Sequence, residues 1–444
     1  MRASFGSQFT YILTIAGATI GFGAIWRFPY LVWENGGGAY VLLFCIAMLF
    51  IGIPMILVEN VIGRRTHCNS IDCFSGSVNG KKIHRFWKIT GILGALGSFG
   101  IMAFYMVLAG RVLSFLVGVF SGGLDMSNPL SLEQTQAFYV QNVENAALRV
   151  ALFTALFVGV NWFILARGVI GGIERVASLL MPLLFLFFAL IIARNLTLDG
   201  AMEGIRFYLY SDFSKLSAKL FIEVLGQVFF ALSLGFGVVI TLSSFLDKKE
   251  HLLKVASLTG VINTLIALLA GFMIFPAIYS VGGTPSFGAD LVFKSLPIAF
   301  SQMHFGVIVA AGFFLLLLIA ALTTTLPIYE VIITILQEKL KFSRQKSIAI
   351  TLLGIFVLGN IPCVLSQDIF DSFNWVSGNI LFVLTGLLCA LFVGWILKSE
   401  ARRELSNDKD IKSVFVVAWF YYVKFIVPLV IVAIFVSNFI FRGL

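Results

Sequence analysis

Residues Ala16 to Pro29 read AGATIGFGAIWRFP, inside the first hydrophobic stretch of the chain. Gly17, Gly21 and Gly23 stand close together there. Glycine disfavours a helix interior and lets the backbone leave helical geometry. Unwound backbone at membrane depth leaves carbonyl and amide groups unpaired, which is tolerable only where protein covers them or a polar cavity runs alongside. The stretch therefore marks a binding site inside a membrane or a close helix contact. Taken alone it leaves both readings open.

The chain around it is built for lipid. Of 444 residues, 59% are hydrophobic and 12% charged, and the mean hydropathy is +0.99. That mix is far from a soluble globular chain and describes a polytopic membrane protein. No charged region, short apolar core and cleavage site precede the first segment, so the N-terminus is expected to lead into the first helix. The net charge of +9 lies in the connections between segments and forms no basic, aromatic-interleaved domain, which excludes a nucleic-acid module. Cys45, Cys68, Cys73, Cys363 and Cys389 are an odd number without zinc spacing and are expected to be free thiols.

A spanning helix needs about 20 apolar residues, and eleven segments satisfy this: 8–29, 38–62, 87–120, 147–166, 173–194, 218–246, 255–280, 304–337, 346–364, 376–397 and 414–440. Basic residues concentrate in alternate connections. Arg64, Arg65, Lys81, Lys82, Arg85 and Lys88 lie between segments 2 and 3, Lys339, Lys341, Arg344 and Lys346 between 8 and 9, and Lys398, Arg402, Arg403, Lys409 and Lys412 between 10 and 11. Because loops facing the cytoplasm carry the positive excess, the N-terminus is expected in the cytoplasm and the C-terminus outside.

Segment 6 repeats the anomaly of segment 1. Ala231 to Gly237 reads ALSLGFG and Gly17 to Gly23 reads GATIGFG. Corresponding breaks five segments apart, in segments of opposite direction, are the mark of an inverted repeat. The predicted architecture is all-α, with segments 1–5 (residues 1–195) related to segments 6–10 (residues 196–397), both first helices unwound at mid-membrane, and a cytoplasmic loop with a peripheral eleventh helix over 398–444.

At this point the chain resembles the neurotransmitter:sodium symporter family, in its bacterial amino-acid transporter branch. The matching phrases are IGFGAIWRFPY (Ile20 to Tyr30), ENGGGAY (Glu34 to Tyr40), GIPMILVENVIGR (Gly52 to Arg64), GGIERV (Gly171 to Val176), GQVFFALSLGFG (Gly226 to Gly237) and ALTTT (Ala321 to Thr325). The resemblance implies no enzyme but a secondary active transporter in a bacterial inner membrane, taking up a small amino acid or related solute with sodium by alternating access. A non-transporting or sensory homologue with a decayed site and a proton-coupled transporter are the alternatives.

The resemblance also implies sites. One sodium site would use the carbonyls of Gly17, Ile20 and Ala320 with the hydroxyls of Thr323 and Thr324, hard oxygens suited to a small cation. Those hydroxyls could equally bond back to the preceding helical turn. The family's other sodium site draws on three side-chain oxygens where this chain has Ala24, Ala231 and Asn263, and the asparagine before the first break is Ala18. Phe44 and Ala267 replace the polar groups of a neighbouring anion site, leaving Gln227 and Asn263. A single sodium and no chloride are therefore expected. A carboxylate would be held by amides around Phe22 and Gly23 and by the Tyr105 hydroxyl. The pocket would be lined by Ala18, Thr19, Phe22, Gly23, Ile101, Tyr105, Phe230, Ala231, Ser233, Phe236, Thr324 and Ile328, an apolar site with few polar groups.

The same resemblance places an outer gate at Arg27 with Asp371 or Asn374, with Phe230 as an aromatic lid, and an inner latch at Arg2 with Glu338 beside Phe5. Pro327 is expected to kink segment 8. Glu59 and Glu330 are expected to bridge helices, and Arg111 and Lys424 to snorkel.

Overall fold

The computed structural model describes residues 5–78, 80–126, 128–282 and 290–440. Among them nine helices are long and apolar enough to cross a membrane: Gly38–Thr66, Arg85–Phe120, Ala147–Leu165, Val169–Asn195, Leu252–Tyr279, Gly306–Lys339, Arg344–Leu365, Gln367–Leu397 and Val414–Asn438. A further span is bent by 63° between Gln8–Thr19 and Gly23–Glu34. Segment 6 is two shorter helices, Ala218–Ala231 and Val238–Ser243, with non-helical backbone between. The protein is all-α; its only described strands form the short pair Ser77–Val78 and Lys81–Lys82 in a loop.

Both breaks have local causes. Ser7 caps the first helix, its hydroxyl accepting from Thr10 N–H. The helix stops where Ile20 leaves helical geometry, at φ −99° and ψ 80°, and the chain resumes helically at Gly23. In segment 6, Gly235 and Gly237 take φ of +84° and +76°, and Ser233 between the two helices takes +51°. Only glycine adopts such angles freely, so the serine is held there at a cost of about 1–2 kcal/mol. Segment 10 begins earlier than expected, at Gln367, which carries Asp371 and Asn374 on its first turns. Segment 8 is one continuous helix, Gly306–Lys339, with Pro327 inside it.

Burial ranks the segments. The most apolar stretch is 72% buried in Arg85–Phe120 and 67% in Gly306–Lys339, against 28% in Val169–Asn195 and 33% in Ala147–Leu165. Segments 3 and 8 are thus central, with segment 1 between them buried from Tyr11 to Ile25. Segments 4 and 5 face outward.

The intramembrane charges are held specifically. Glu330, fully buried, forms a two-pronged pair with Arg344 at 2.9 and 2.8 Å, and Arg344 Nε donates to the Leu165 carbonyl at 3.0 Å, tying segments 4, 8 and 9 together. Glu59 accepts from Gly235 N–H at 2.7 Å, holding the second break from segment 2. Arg111 does not snorkel. It is 9% exposed, donates to Gln367 Oε1 at 3.0 Å and lies over the Phe370 ring. Lys424 rests on the Trp395 ring at 4.4 Å.

Replacing Arg344 by Met strands the Glu330 carboxylate. We expect a loss of about 3 kcal/mol, the low end for a broken buried pair because Arg344 is partly exposed, read as a lowered thermal midpoint in detergent. Adding Glu330→Gln should recover most of it, and a double variant no more stable than the single one would contradict the assignment.

Candidate functional site

The first break brings oxygens together. Thr324 Oγ1 lies 3.0 Å from the Gly17 carbonyl, 3.1 Å from that of Ile20 and 2.9 Å from that of Ala320. One hydroxyl carries one proton. The Gly17 and Ile20 carbonyls, at the end of the first helix, therefore have one hydroxyl proton between them in a buried spot, with the Ala320 carbonyl beside them, an arrangement of oxygens that a cation could join. The Thr323 hydroxyl bonds back to the Ile319 and Ala320 carbonyls, both at 3.1 Å, and makes no direct bond to segment 1. Thr324 alone of the pair reaches across to segment 1.

Next to this cluster is a small cavity of about 20 Å³, room for about one water. Of the twelve residues expected to form the pocket, ten line it: Thr19, Gly23, Ile101, Tyr105, Phe230, Ala231, Ser233, Phe236, Thr324 and Ile328, together with Gly21. Ala18 contributes its carbonyl, which accepts from Ser233 Oγ at 3.2 Å. Phe22 lies to one side, its ring 4.7 Å from that of Tyr105. The Phe22 amide donates to the Tyr105 hydroxyl at 2.8 Å, so the two groups expected to hold a carboxylate meet each other. A Cβ on Gly21 would fall 2.1 Å from the Tyr105 hydroxyl oxygen and 3.2 Å from Thr324 Oγ1. The pocket thus abuts the oxygen cluster through Thr324.

On the far side, two amides reach the breaks. Asn263 Nδ2 donates to the Thr19 carbonyl at 3.2 Å and the Ala231 carbonyl at 2.9 Å. Gln227 Nε2 donates to the Gly23 carbonyl at 2.9 Å. Phe44 and Ala267 are buried. These amide bonds were not legible in the sequence, since a motif gives the residue types but not which amide atom faces inward.

A wider cavity of about 970 Å³ lies above, reaching from Phe22, Gly23 and Tyr105 to Lys219, Asp290 and Lys294. The two cavities share Gly23, Tyr105 and Phe230 in their linings. Arg27 lies over its ring at 4.5 Å and makes no ion pair with a described residue. Asp371 instead accepts from Gln367 Nε2 at 3.1 Å, and Asn374 lines the same cavity. The expected outer pairing is thus not formed in this state. Asn374→Asp should let an ion pair close over Phe230, at about 1.5–3 kcal/mol for a charged hydrogen bond. Reopening, measured as the rate of bound-solute release to the outside, should slow roughly 10- to 100-fold; an unchanged rate would remove Asn374 from the gate.

At the opposite end, Arg2 lies outside the described residues. Glu338 accepts from Asn69 N–H and Nδ2 at 2.8 and 2.9 Å. The N-terminal stretch is held by Glu174, which accepts from Gly6 N–H at 3.0 Å and from the Thr10 hydroxyl, while Phe5 packs edge-on against Tyr11. Glu174 was missed as a site residue, although its GGIERV phrase was already part of the resemblance. Beside Asn69, burial works to raise the Asp72 carboxyl but hydrogen bonds from Lys88, Asn69 and Lys339 outweigh it and hold the group down to about 2. The contribution to folding is therefore present above the ordinary carboxylate range and lost as pH falls towards 2.

A model of the sodium:neurotransmitter symporter family matches residues 2–143 and 136–442. A sodium-dependent transporter of Haemophilus influenzae is 58% identical over 450 residues, covering 98% of each chain. The sodium-dependent neutral amino acid transporter B(0)AT2 of Bos taurus is 30% identical across 62% of this chain and 40% of its own. The crystal structure of MhsT in complex with L-phenylalanine superposes with a TM-score of 0.87 at 34% identity, covering 99% of this chain and 100% of that one.

Proposed function

The chain belongs to the sodium:neurotransmitter symporter family, and from that membership we propose that it carries a small amino acid or related carboxylate-bearing solute into the cell, driven by a single sodium ion. The family consists of sodium-dependent membrane transporters, not enzymes, and bacterial relatives favour the inner membrane. The reading rests most directly on the oxygen cluster at Thr324, where the Gly17, Ile20 and Ala320 carbonyls converge on one hydroxyl and the first two have only its proton between them. Hard, proton-poor oxygens at membrane depth are what a sodium ion requires. Sodium is here a co-transported substrate. Gly17, Ile20, Ala320 and Thr324 would hold it, with Thr323 steadying Ala320 from the same turn.

The solute would enter from the wide cavity, pass Phe230 and settle against Tyr105, Phe22 and Gly23. Its carboxylate would take the N–H of Phe22 and the hydroxyl of Tyr105 from each other, each able to donate to it. Its side chain would meet Ile101, Phe230, Phe236 and Ile328, which favours an apolar solute. Because Thr324 belongs to both the pocket and the cluster, a solute that rearranges Tyr105 alters the surroundings of the ion, and a coupling free energy between the two sites follows. L-Phenylalanine in MhsT and neutral amino acids in the bovine relative make amino acids the first solutes to try.

The test is uptake into proteoliposomes across a panel of amino acids. Accumulation should require an inward sodium gradient, persist without chloride and rise hyperbolically with sodium. Flux indifferent to sodium would favour proton coupling; no flux for any solute would favour a sensory homologue.

A further inference from the structure

Asn263 sits in the middle of Leu252–Tyr279 with its side chain fully buried. It belongs to neither broken segment, yet its amide nitrogen touches both, through the carbonyls of Thr19 and Ala231. Each carbonyl ends a helical stretch at a break, where no following amide is available to it. Their approach to one point brings two negative dipole ends together in a buried place, which something positive must offset.

We infer that the Asn263 amide stands in for a cation at this junction, holding the two breaks together so that the chain dispenses with a second ion. Two acceptors meet two N–H protons, so the demand is filled. At Thr324 the Gly17 and Ile20 carbonyls meet one hydroxyl proton, on which Ala320 also draws, so it is not. The same count made at two neighbouring places predicts an ion at one and none at the other.

The orientation of the amide follows from the same count. With Oδ1 turned inward, three carbonyl-type oxygens would converge with no proton among them; with Nδ2 inward, Oδ1 is left without a partner among the described residues. Gln227 repeats the arrangement, its nitrogen on the Gly23 carbonyl and its oxygen likewise unpartnered. Both amides thus give their donors to the break at the expense of their own acceptors. That is the pattern expected where positive character is needed at the backbone. Asn263 is here a positioning residue: it acts on the solute through Thr19 and Ala231, which line the pocket.

The inference rests on the single-sodium reading and is tested apart from it. Purified protein is titrated with sodium at fixed solute, and solute binding and sodium uptake are followed in native protein, Asn263→Asp, Asn263→Ala and Thr324→Val. Native protein should respond with a Hill coefficient of about 1, and Asn263→Asp, which sets a carboxylate against the two carbonyls, should need a second ion and steepen towards about 2. At low sodium both Asn263 variants should lose about 10-fold or more in solute affinity, as for a buried group left unpaired, and Asn263→Asp should regain it at high sodium.

Asn263→Ala keeps the test open if the aspartate variant folds poorly. Native protein binding two sodium ions would mean the amide turns over to offer its oxygen, and would overturn the inference; so would an Asn263→Asp response identical to native. Thr324→Val reports separately on the first site, since undiminished sodium binding there would sink the proposed sodium site while leaving Asn263 to be judged by its own variants.

Discussion

Thr324→Val should abolish sodium-driven accumulation while leaving a folded protein. Valine keeps the shape of threonine but deletes the one side-chain oxygen that reaches the Gly17, Ile20 and Ala320 carbonyls. It would remove both the proposed ion ligand and the proton that partly satisfies those carbonyls. Sodium affinity should fall by about 100-fold, the upper end of what the loss of supporting groups costs metal sites. Because the site sits between segments 1 and 8, the gradient then has nothing to act on, and solute should equilibrate without accumulating. Thr323→Val should be milder, since that hydroxyl bonds only within its own turn. The ordering of the pair, measured as concentrative uptake, separates ligation from helix support: equal defects would mean that Thr323 also turns towards the ion.

Gly21→Ala should be nearly as damaging for a different reason. The added Cβ falls 2.1 Å from the Tyr105 hydroxyl oxygen, far inside any real contact, and 3.2 Å from Thr324 Oγ1. Tyr105 cannot yield cheaply, because its hydroxyl is fixed by the Phe22 amide and its ring by Phe22. Overpacking of this kind costs about 1–3 kcal/mol, roughly 10- to 100-fold in affinity, and here it falls on the group expected to hold the solute carboxylate. Equilibrium binding should show the loss even at saturating sodium. Gly21→Ala with Tyr105→Phe should recover part of the packing but not the affinity, since the hydroxyl is then gone. Native affinity in Gly21→Ala would mean that solute does not bind against Tyr105.

Much of this was legible in the sequence because the physics is local. Lipid demands long apolar runs, so the segments declare themselves, and breaks at membrane depth demand glycine, so Gly21 and Gly235 mark the pocket before any packing is known. The pocket residues followed from family phrases fixed to those breaks. What the sequence left open depends on direction. Arg111 could have risen to the surface or turned inward, and only packing against Gln367 and Phe370 decides it. Arg27 was expected to meet an acid, but in this state its charge rests on an aromatic ring. Glu174 was hidden because its partners, Gly6 and Thr10, are far away in the chain and carry no charge.

The central claim is that one sodium ion binds where segments 1 and 8 meet. Equilibrium binding of radioactive sodium to the purified protein in saturating solute tests it most directly. The account predicts one saturable site per chain in the native protein and none in Thr324→Val; two sites in the native protein, or one that survives Thr324→Val, would contradict it.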